Sequence, residues 1–491
     1  RTDLLEMPRH PEREVATTGP PPQAGRDSCR VGSLAVSEPV TVAAIWEAAC
    51  RSYNGGNNRG GGIDFAGFAP AAVREKTCLI LNTIGPDRDE SLLAMLGHLA
   101  GCRFFDAAGV EHSSDGVSRR LGGFRLPVRE KYAGEDGWRR ADLRENPGDF
   151  HMFFVEMKPE VLKRYGRTLL KSPNWLQRRT KYGDIPNGVL ELSLESFEEA
   201  IAAGIETAVS LAGGAALSER LVDFLIDVRE EYFSALAHLL DSRYYRTHSP
   251  PDSIPPAGKY AAKRRGYVVS IGEDLGAIKI SGWTHTIPEY FDFDRFWAEY
   301  PGAGDGAPGE AGRGVEVTVK GRSFRTTALH AHVWGMHHRY PTNSPAIDAE
   351  GRGNPAGAHP FKAYNVLLMH NGEQVGVDST SPFLNEYGFV HADPSMGEGA
   401  EHYHGDSIYE RKALTDTEYA AYLVDFTRRV LGLTTEEASQ VISPITGIDL
   451  EAMDEDRRAK LRLLMTNYVQ LTPTGPYKFT IVESRRRGEG R

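Results

Sequence analysis

Short apolar runs bounded by glycine or proline dominate the hydrophobic pattern of this chain. They are rich in β-branched and aromatic residues, which is typical of β-strands. We predict strands at CRVGSLAV, TCLILNTI, FHMFFVEM, GYVVSIG, GAIKISGW, LHAHVWGMHHR, AYNVLLMHN and YKFTIVES. A glycine-rich turn, NGGNNRGGGIDFAGFAP, leads into one more strand.

Other segments repeat their apolar residues at every third and fourth position, which predicts helices. These segments are VTVAAIWEAACRSY, LESFEEAIAAGIETAVSLA, LSERLVDFLIDVREEYFSALAHLLD and DTEYAAYLVDFTRRVLGL. The second and third lie together between Leu194 and Asp241, and the last begins near Asp416. Strand-rich ends with helices gathered between them predict an α+β fold in which helical layers cover sheets.

Two segments lack the apolar content of a core. Residues 1–28 carry five prolines and scattered charge, so we expect a disordered leader or propeptide. Residues 301–314, PGAGDGAPGEAGRG, predict a flexible surface loop. Strands on both sides of this loop belong to one sheet system, so we treat residues 29–491 as a single domain.

Composition narrows the range of partners and locations. The 491 residues are 40% hydrophobic and carry a net charge of −10, with 57 Lys and Arg against 67 Asp and Glu. This field would repel nucleic acid and anionic lipid, so we expect neither as a partner. No run approaches the roughly 18 apolar residues of a membrane span, and residues 1–28 lack an apolar signal core. We therefore predict a cytoplasmic protein.

No cofactor motif is visible. The cysteines Cys29, Cys50, Cys78 and Cys102 are widely separated and form no CxxC pair, so zinc or an iron–sulfur cluster is not indicated. The last three are expected to be buried thiols. The glycine-rich NGGNNRGGG lacks the lysine and Ser/Thr of a phosphate-binding loop, so nucleotide binding is not expected either.

Between residues 339 and 373, several groups suited to amino-acid chemistry occur close together. Arg339 could bind a carboxylate through two parallel hydrogen bonds. Asn371 and Gly372 predict a turn in which a side-chain amide and a backbone N–H converge, as stabilisation of an oxyanion requires. The alternatives are a surface ion pair for Arg339 and an ordinary hairpin turn for Asn371–Gly372.

Cys29 is the candidate nucleophile, because it opens the first predicted strand directly after the leader. If the chain is cut between Ser28 and Cys29, the α-amine of Cys29, with an ordinary pKa of about 7.7–8.0, could act as its general base. One residue would then supply both nucleophile and base. The alternative is a small buried residue at the start of a strand.

Six motifs in this order resemble the class II, or N-terminal-nucleophile, glutamine amidotransferases. The motifs are CRVG (29–32), NNRGGGIDFAGF (57–68), HHRYPTNSP (337–345), HPF (359–361), HNGE (370–373) and LTDTEYAAYLVD (414–425). The resemblance is strongest to the glutaminase domain of glutamate synthase and its separate-subunit relatives, and it extends from Cys29 to about Leu433. It implies a four-layer αββα sandwich and the hydrolysis of L-glutamine to glutamate and ammonia.

The resemblance also implies roles for individual residues. The thiolate of Cys29 would attack the glutamine side-chain carbonyl, form a γ-glutamyl thioester and release ammonia. Asn371 and Gly372 would be the oxyanion-hole donors.

Substrate binding follows from the same resemblance. Arg339, with Thr342 beside it in the same loop, would hold the α-carboxylate of glutamine. Asp416 would hold the α-ammonium group, a role that its negative charge fits. The ammonia would pass to a synthase subunit on another chain, and that partner would carry FMN and iron–sulfur clusters.

The chain departs from the family in two places. Arg30 follows the cysteine where the family usually has glycine. The segment 129–321 is longer than a compact glutaminase core needs, and we treat it as a helical insertion of unassigned role.

Two other functions stay open at this point. His330 and His332 lie on one face of a predicted strand, and with the further histidines they could form a metallohydrolase site. Those further histidines are His337, His338, His402 and His404. No carboxylate at the spacing of an HExxH motif accompanies them. If the leader is never removed, the chain would instead be a catalytically silent structural or regulatory subunit.

Overall fold

A computed structural model describes much of the chain from Arg30 onwards, in segments separated by gaps. The described residues are 30–52, 60–85, 87–171, 182, 185–195, 215–244, 265–303, 315–319, 322–326, 329–338, 357–372, 416–429, 432–442, 454–467 and 477–484. The leader 1–28 and residues 304–314 of the glycine-rich loop lie outside them. What we predict for those two segments therefore stays a prediction.

The β-strands follow the apolar runs of the sequence. They are β1 Arg30–Thr41, β2 Gly61–Ala66, β3 Thr77–Ile84, β4 Cys102–Phe105, β5 Glu111–His112, β6 Asp149–Met157, β7 Arg265–Glu273, β8 Leu275–Ile280, β9 Val315–Val319, β10 Arg322–Thr326, β11 His330–His338, β12 Phe361–Ala363, β13 Val366–Gly372 and β14 Tyr477–Glu483. Every strand predicted from the sequence is present. The run AYNVLLMHN divides between β12 and β13.

Helices fill much of the remaining described chain. They are α1 Ala43–Ser52, α2 Arg88–Gly97, α3 Ser114–Arg119, α4 Leu121–Phe124, α5 Gly137–Arg140, α6 Pro159–Lys171, α7 Asn187–Glu195, α8 Ala215–Tyr244, α9 Thr286–Tyr290, α10 Phe293–Glu299, α11 Asp416–Arg429, α12 Thr435–Ile442 and α13 Glu455–Asn467, with a 3-10 turn at Glu130–Tyr132. Three predicted helices are confirmed as α1, α8 and α11. The fourth, LESFEEAIAAGIETAVSLA, lies outside the described residues after its first two positions.

The described strands form antiparallel sheets, which confirms the α+β class. One sheet has the order β5-β4-β6-β3-β7, and a second has the order β1-β11-β2-β8. A third sheet has the order β12-β13-β14, and β9 pairs with β10 as a separate hairpin. Every residue of β2 and β8 is buried, so the second sheet is covered on both faces where these strands run.

A tight connection joins the two larger sheets. Strand β7 belongs to the first sheet and β8 to the second, and only Asp274 separates them. Asp274 has a φ of +50°, and its Oδ1 accepts hydrogen bonds from the backbone N–H groups of Phe68 (2.7 Å) and Ala69 (2.6 Å). The same carboxylate therefore anchors the end of β2 to this connection.

The two larger sheets share one apolar core. Phe65 on β2 and Ile278 on β8 line a small cavity together with Ile80 on β3 and Phe150 and Met152 on β6. These side chains are at most 3% exposed. Burial of apolar surface here is the main contribution to holding the sheets together.

A smaller apolar cluster packs helix α11 against the third sheet. Phe361, Val366 and Leu368 on the strands and Ala421 and Phe426 on the helix belong to this cluster. The helix lies against both β12 and β13. Its first turn is thereby held close to this sheet, which is the arrangement on which the candidate site depends.

The segment 129–321, which the sequence led us to treat as a helical insertion, has to be reassigned. It supplies β6 to the middle of the first sheet, and β7 and β8 to the first and second sheets. Removal of these strands would leave β3 without a partner and β2 with β11 as its remaining partner. The segment is therefore part of the core where it is described, because its strands pair with those of the flanking chain.

Among the described residues, no helix combines the length and the apolar character that crossing a membrane requires.

Candidate functional site

The structure describes two of the six predicted site residues fully. Asn371 and Gly372 are the last residues of β13. Asp416 is the first residue of helix α11, and only its backbone is described. Cys29, Arg339 and Thr342 lie outside the described residues, so their places in the site stay predictions.

The predicted turn at Asn371–Gly372 is wrong. Both residues continue β13 and pair with β14, Asn371 opposite Lys478 and Gly372 opposite Tyr477. The turn before β13 is instead made by Tyr364 and Asn365, where Asn365 adopts a φ of +62°. An Asn-Gly pair usually indicates a hairpin turn, but here both residues remain paired with the distant strand β14.

The backbone at the end of β13 is nevertheless unusual. Gly372 is exposed and has a φ of +135°, a conformation that favours glycine, while Asn371 before it is half-buried. An amide side chain and a glycine N–H are thus adjacent in sequence at a strand end. Such groups are suitable hydrogen-bond donors to an oxyanion.

A buried cluster of three histidines and one threonine lies directly behind this strand end. It consists of His337 on β11, His359 before β12, His370 on β13 and Thr417 in the first turn of α11. All four are at most 4% exposed. We call these residues the histidine–threonine cluster.

Specific contacts hold the cluster together. The Nε2 of His337 lies 2.7 Å from the carbonyl oxygen of His370, and the rings of His337 and His359 lie 3.8 Å apart. The Oγ1 of Thr417 lies 2.7 Å from the Nε2 of His359 and 3.2 Å from the Nδ1 of His370. Each member therefore contacts at least one other.

Hydrogen-bond chemistry fixes part of the proton arrangement. A carbonyl oxygen only accepts, so the Nε2 of His337 carries a proton and donates it to the carbonyl of His370. The hydroxyl of Thr417 has a single proton, so at least one of the two imidazole nitrogens beside it must donate to Thr417. The tautomers of His359 and His370 are thus coupled through one hydroxyl group.

The cluster brings together the chain segments that carry the predicted site. Val31 pairs with His337, and Arg30 pairs with His338, so the residues that adjoin Cys29 and Arg339 in sequence lie at one end of one strand pair. Asn371 directly follows His370. Asp416 directly precedes Thr417. Four of the six predicted residues are therefore covalent neighbours of groups that meet at this end of the sheets.

Glycines allow the close approach of these segments. A Cβ atom on Gly62 of β2 would lie 1.7 Å from the carbonyl oxygen of His359, and one on Gly61 would lie 2.6 Å from the backbone nitrogen of Thr284. Only glycine fits at these two positions. The glycine-rich motif thus lets β2 pass directly beside the cluster.

His338 links the same end of β11 to helix α1. Its Nε2 donates a hydrogen bond to the carbonyl of Ala49 (3.1 Å), and the side chain is 1% exposed. Burial lowers the pKa of His338 to about 4. The residue before Arg339 is therefore a neutral, fixed imidazole at physiological pH.

Asp64 is a second buried polar group near the cluster. It pairs with Gly335, two residues before His337, and it is 0% exposed. Neither carboxylate oxygen makes a hydrogen bond of normal geometry to a described residue. Burial raises the pKa of Asp64 to about 7, an effect that the Gly335 backbone N–H partly offsets.

The metal-site hypothesis gains no support from the described part of the chain. No three His, Cys, Asp or Glu side chains there are arranged to hold a metal ion. His332 is exposed and its Nδ1 lies 3.2 Å from the carbonyl of Val36. His402 and His404 lie outside the described residues.

Sequence reasoning named the motifs HPF and HNGE but assigned no role to His359, His370 or Thr417, and it missed Asp64. A signal existed for the histidines, because each stands beside or within an apolar run that predicts burial. A buried imidazole usually needs a hydrogen-bonding partner. The partners come from distant segments, and the sequence does not show which ones.

Comparisons with known proteins leave the family open. The sequence matches no protein-family profile. It is similar to an uncharacterized protein of Archaeoglobus fulgidus, with 29% identity over 219 residues. The aligned region covers 45% of this chain and 42% of that protein, so the chain matches less than half of its relative's length.

Proposed function

We propose that this chain is the glutaminase component of a glutamate-synthase-like, class II glutamine amidotransferase. The observation that carries the proposal is the histidine–threonine cluster. Two of its members, His370 and Thr417, adjoin Asn371 and Asp416 in sequence. The paired residues Arg30 and His338, which adjoin Cys29 and Arg339, lie one register position beyond its member His337. A structural role alone would not require that these particular neighbours meet.

The proposed reaction proceeds in two steps through Cys29. With its α-amine as general base, the thiolate of Cys29 attacks the side-chain carbonyl carbon of glutamine, and the C–N bond breaks to release ammonia. Water then hydrolyses the γ-glutamyl thioester to glutamate and returns the thiol. Asn371 and Gly372 donate hydrogen bonds to the oxyanion in both steps.

Three further residues select the substrate. Arg339 binds the α-carboxylate of glutamine with Thr342 beside it, and Asp416 binds the α-ammonium group. These contacts are made by parts of the substrate that do not react. They orient the side-chain amide towards Cys29.

The finer fold proposal is an N-terminal-nucleophile sandwich with the layer order αββα. Two antiparallel sheets that share an apolar core support it. Helix α1 lies against β1 and β11 of one sheet, and helices α2 and α8 lie against β7 of the other. In this proposal the nucleophile stands at the start of β1.

The proposal extends to a partner by resemblance alone. A synthase subunit carrying FMN and iron–sulfur clusters would accept the ammonia, and both chains would be cytoplasmic. No cofactor motif in this chain calls for those groups here. Co-purification tests the partner: a chain that stays alone and fully active with its own synthase present would contradict it.

The test of the activity is ammonia release from L-glutamine. The purified chain is assayed as the full sequence and as a form in which Cys29 is the first residue. We expect release by the form that starts at Cys29, and loss of at least about 10³-fold in Cys29→Ala because the nucleophile is gone.

Cys50→Ala is the matched control. Cys50 is a half-buried thiol on α1, and burial raises its pKa to about 12, so it should be inert. Its loss should leave ammonia release unchanged. No release by either form of the wild-type chain would contradict the proposed function and would favour the silent subunit. Release that survives Cys29→Ala but stops with a chelator would favour the metallohydrolase.

A further inference from the structure

Thr417 directs its hydroxyl group away from its own helix. Threonines inside a helix usually donate to the carbonyl one turn earlier, as Thr427 of the same helix does to Leu423 (2.9 Å). Thr417 stands in the first turn of α11, where no earlier helical carbonyl exists. Its Oγ1 is within hydrogen-bonding distance of both His359 and His370 instead.

His370 is therefore held at two points. Its carbonyl accepts the hydrogen bond from His337, and its ring contacts Thr417. His337 in turn pairs with Val31 of β1. The end of β13 is thus connected to the start of β1 through His337, which bonds the backbone carbonyl of His370. It is connected to the start of α11 through the ring of His370.

The pleat of β13 transmits this restraint to Asn371. Successive side chains of a strand point to opposite faces, so the side chains of His370 and Asn371 point in opposite directions. An imidazole fixed on the buried face therefore sets the rotation of the strand end. That rotation sets the direction of the Asn371 amide and of the Gly372 N–H.

We infer that Thr417 is a positioning residue, which orients Asn371 and Gly372 as oxyanion donors through His370. This inference rests on the proposed function. It also joins two parts of the predicted site, because Thr417 directly follows Asp416. The group that holds the α-ammonium of glutamine and the donors to the oxyanion are then fixed relative to each other by one hydroxyl.

The test uses three variants of the chain that starts at Cys29. Thr417→Val removes the hydroxyl and keeps the shape, Thr417→Ser keeps the hydroxyl, and Thr427→Val removes an equally buried hydroxyl from the same helix. Both threonines are 0% exposed, so Thr427→Val is the control for loss of stability. Ammonia release from glutamine gives kcat and KM, and thermal unfolding gives Tm.

We expect kcat of Thr417→Val to fall by about 10- to 100-fold, because a misplacement near 1 Å costs on that scale. KM should change by less than about 3-fold, since the donors act on the transition state. Thr417→Ser should recover kcat to within about 3-fold. Thr427→Val should keep the wild-type kcat at temperatures where it is folded.

The results of these assays distinguish a failure of the proposed function from a failure of the positioning role of Thr417. A wild-type chain that releases no ammonia overturns the proposed function, and this inference with it. An active wild type with a Thr417→Val variant of equal kcat overturns the positioning role alone. The positioning role is also overturned if kcat falls equally in Thr417→Val and Thr427→Val, or if Thr417→Ser fails to recover the wild-type kcat.

Discussion

The apolar core between the two larger sheets and the histidine–threonine cluster are both buried, but they are held together differently. Phe65, Ile80 and Phe150 meet in the core through contacts that any side chain of similar shape would make. His337 and Thr417 contact their partners through hydrogen bonds between particular atoms. The core tolerates exchange within the apolar class, whereas the cluster requires its own residue types.

This difference separates stability from positioning. Apolar burial should supply most of the free energy of folding, because it is large and non-directional. The cluster should supply little net stability, since its hydrogen bonds replace those with water. The cluster instead fixes the orientation of the groups attached to it, and acyl transfer depends on the orientation of the reacting groups. The two regions should therefore respond differently to substitution.

Phe150→Ala should have the largest effect on stability. Phe150 is 1% exposed, lines the cavity between the sheets and packs edge-to-face on Phe291. We expect a loss of about 3–5 kcal/mol in the free energy of unfolding, with kcat unchanged while the protein is folded. Denaturant unfolding measures it, and Leu93→Ala, at 44% exposed, is the control that should change little. A loss below about 1 kcal/mol would contradict the assigned core.

Asn371→Ala should have the largest effect on turnover among the described site residues. We expect kcat for glutamine to fall by about 10²–10³-fold because one oxyanion donor is lost, with KM and Tm almost unchanged. Steady-state ammonia release measures this, and near-normal turnover would refute the oxyanion assignment.

Asn365→Ala sharpens the contrast, since Asn365 lies at the other end of β13. Its Oδ1 accepts from the Glu273 N–H (2.8 Å), and its φ is +62°. We expect a loss of about 2 kcal/mol in stability and a normal kcat.

Asp64→Asn should have a smaller effect, and that effect should depend on pH. Burial raises the pKa of Asp64 to about 7 from an ordinary 3.8. The folded state therefore keeps a proton that the unfolded state releases, so the stability that this group contributes is present below pH 3.8. It is lost as the pH rises towards 7.

Asparagine does not titrate. As the pH rises from 5 to 7, the free energy of unfolding of Asp64→Asn should therefore increase by about 2 kcal/mol relative to that of the wild type. Unfolding of both proteins at the two pH values measures this gain. A difference in stability that is independent of pH would show that Asp64 is already ionised in the folded state at pH 5, which would contradict the raised pKa.

The sequence predicts the strands better than the site, and particular elements show why. TCLILNTI has the apolar, β-branched pattern of a central strand, and β3 runs from its first to its last residue. The helix α8 likewise follows its local periodicity. The local hydrophobic pattern is enough to predict such elements.

Local pattern fails where distant segments decide the outcome. Asn371–Gly372 has the strongest hairpin signal in its region, yet pairing with β14 extends the strand through it. The role of 129–321 as part of the sheets was missed, because nothing local shows that β6 would lie between β4 and β3. Thr417 stands 47 positions from His370, and its hydroxyl meets that ring only after α11 packs on the third sheet.

The proposed function depends above all on Cys29 acting as an N-terminal nucleophile in a glutamine site. The most direct measurement is the intact mass of the purified chain after incubation with a diazoketone analogue of glutamine, which alkylates a reactive thiol with loss of N₂. We predict a chain that starts at Cys29 and carries one adduct, and Cys29→Ala should carry none. An unlabelled chain that retains the residues before Cys29 would contradict it.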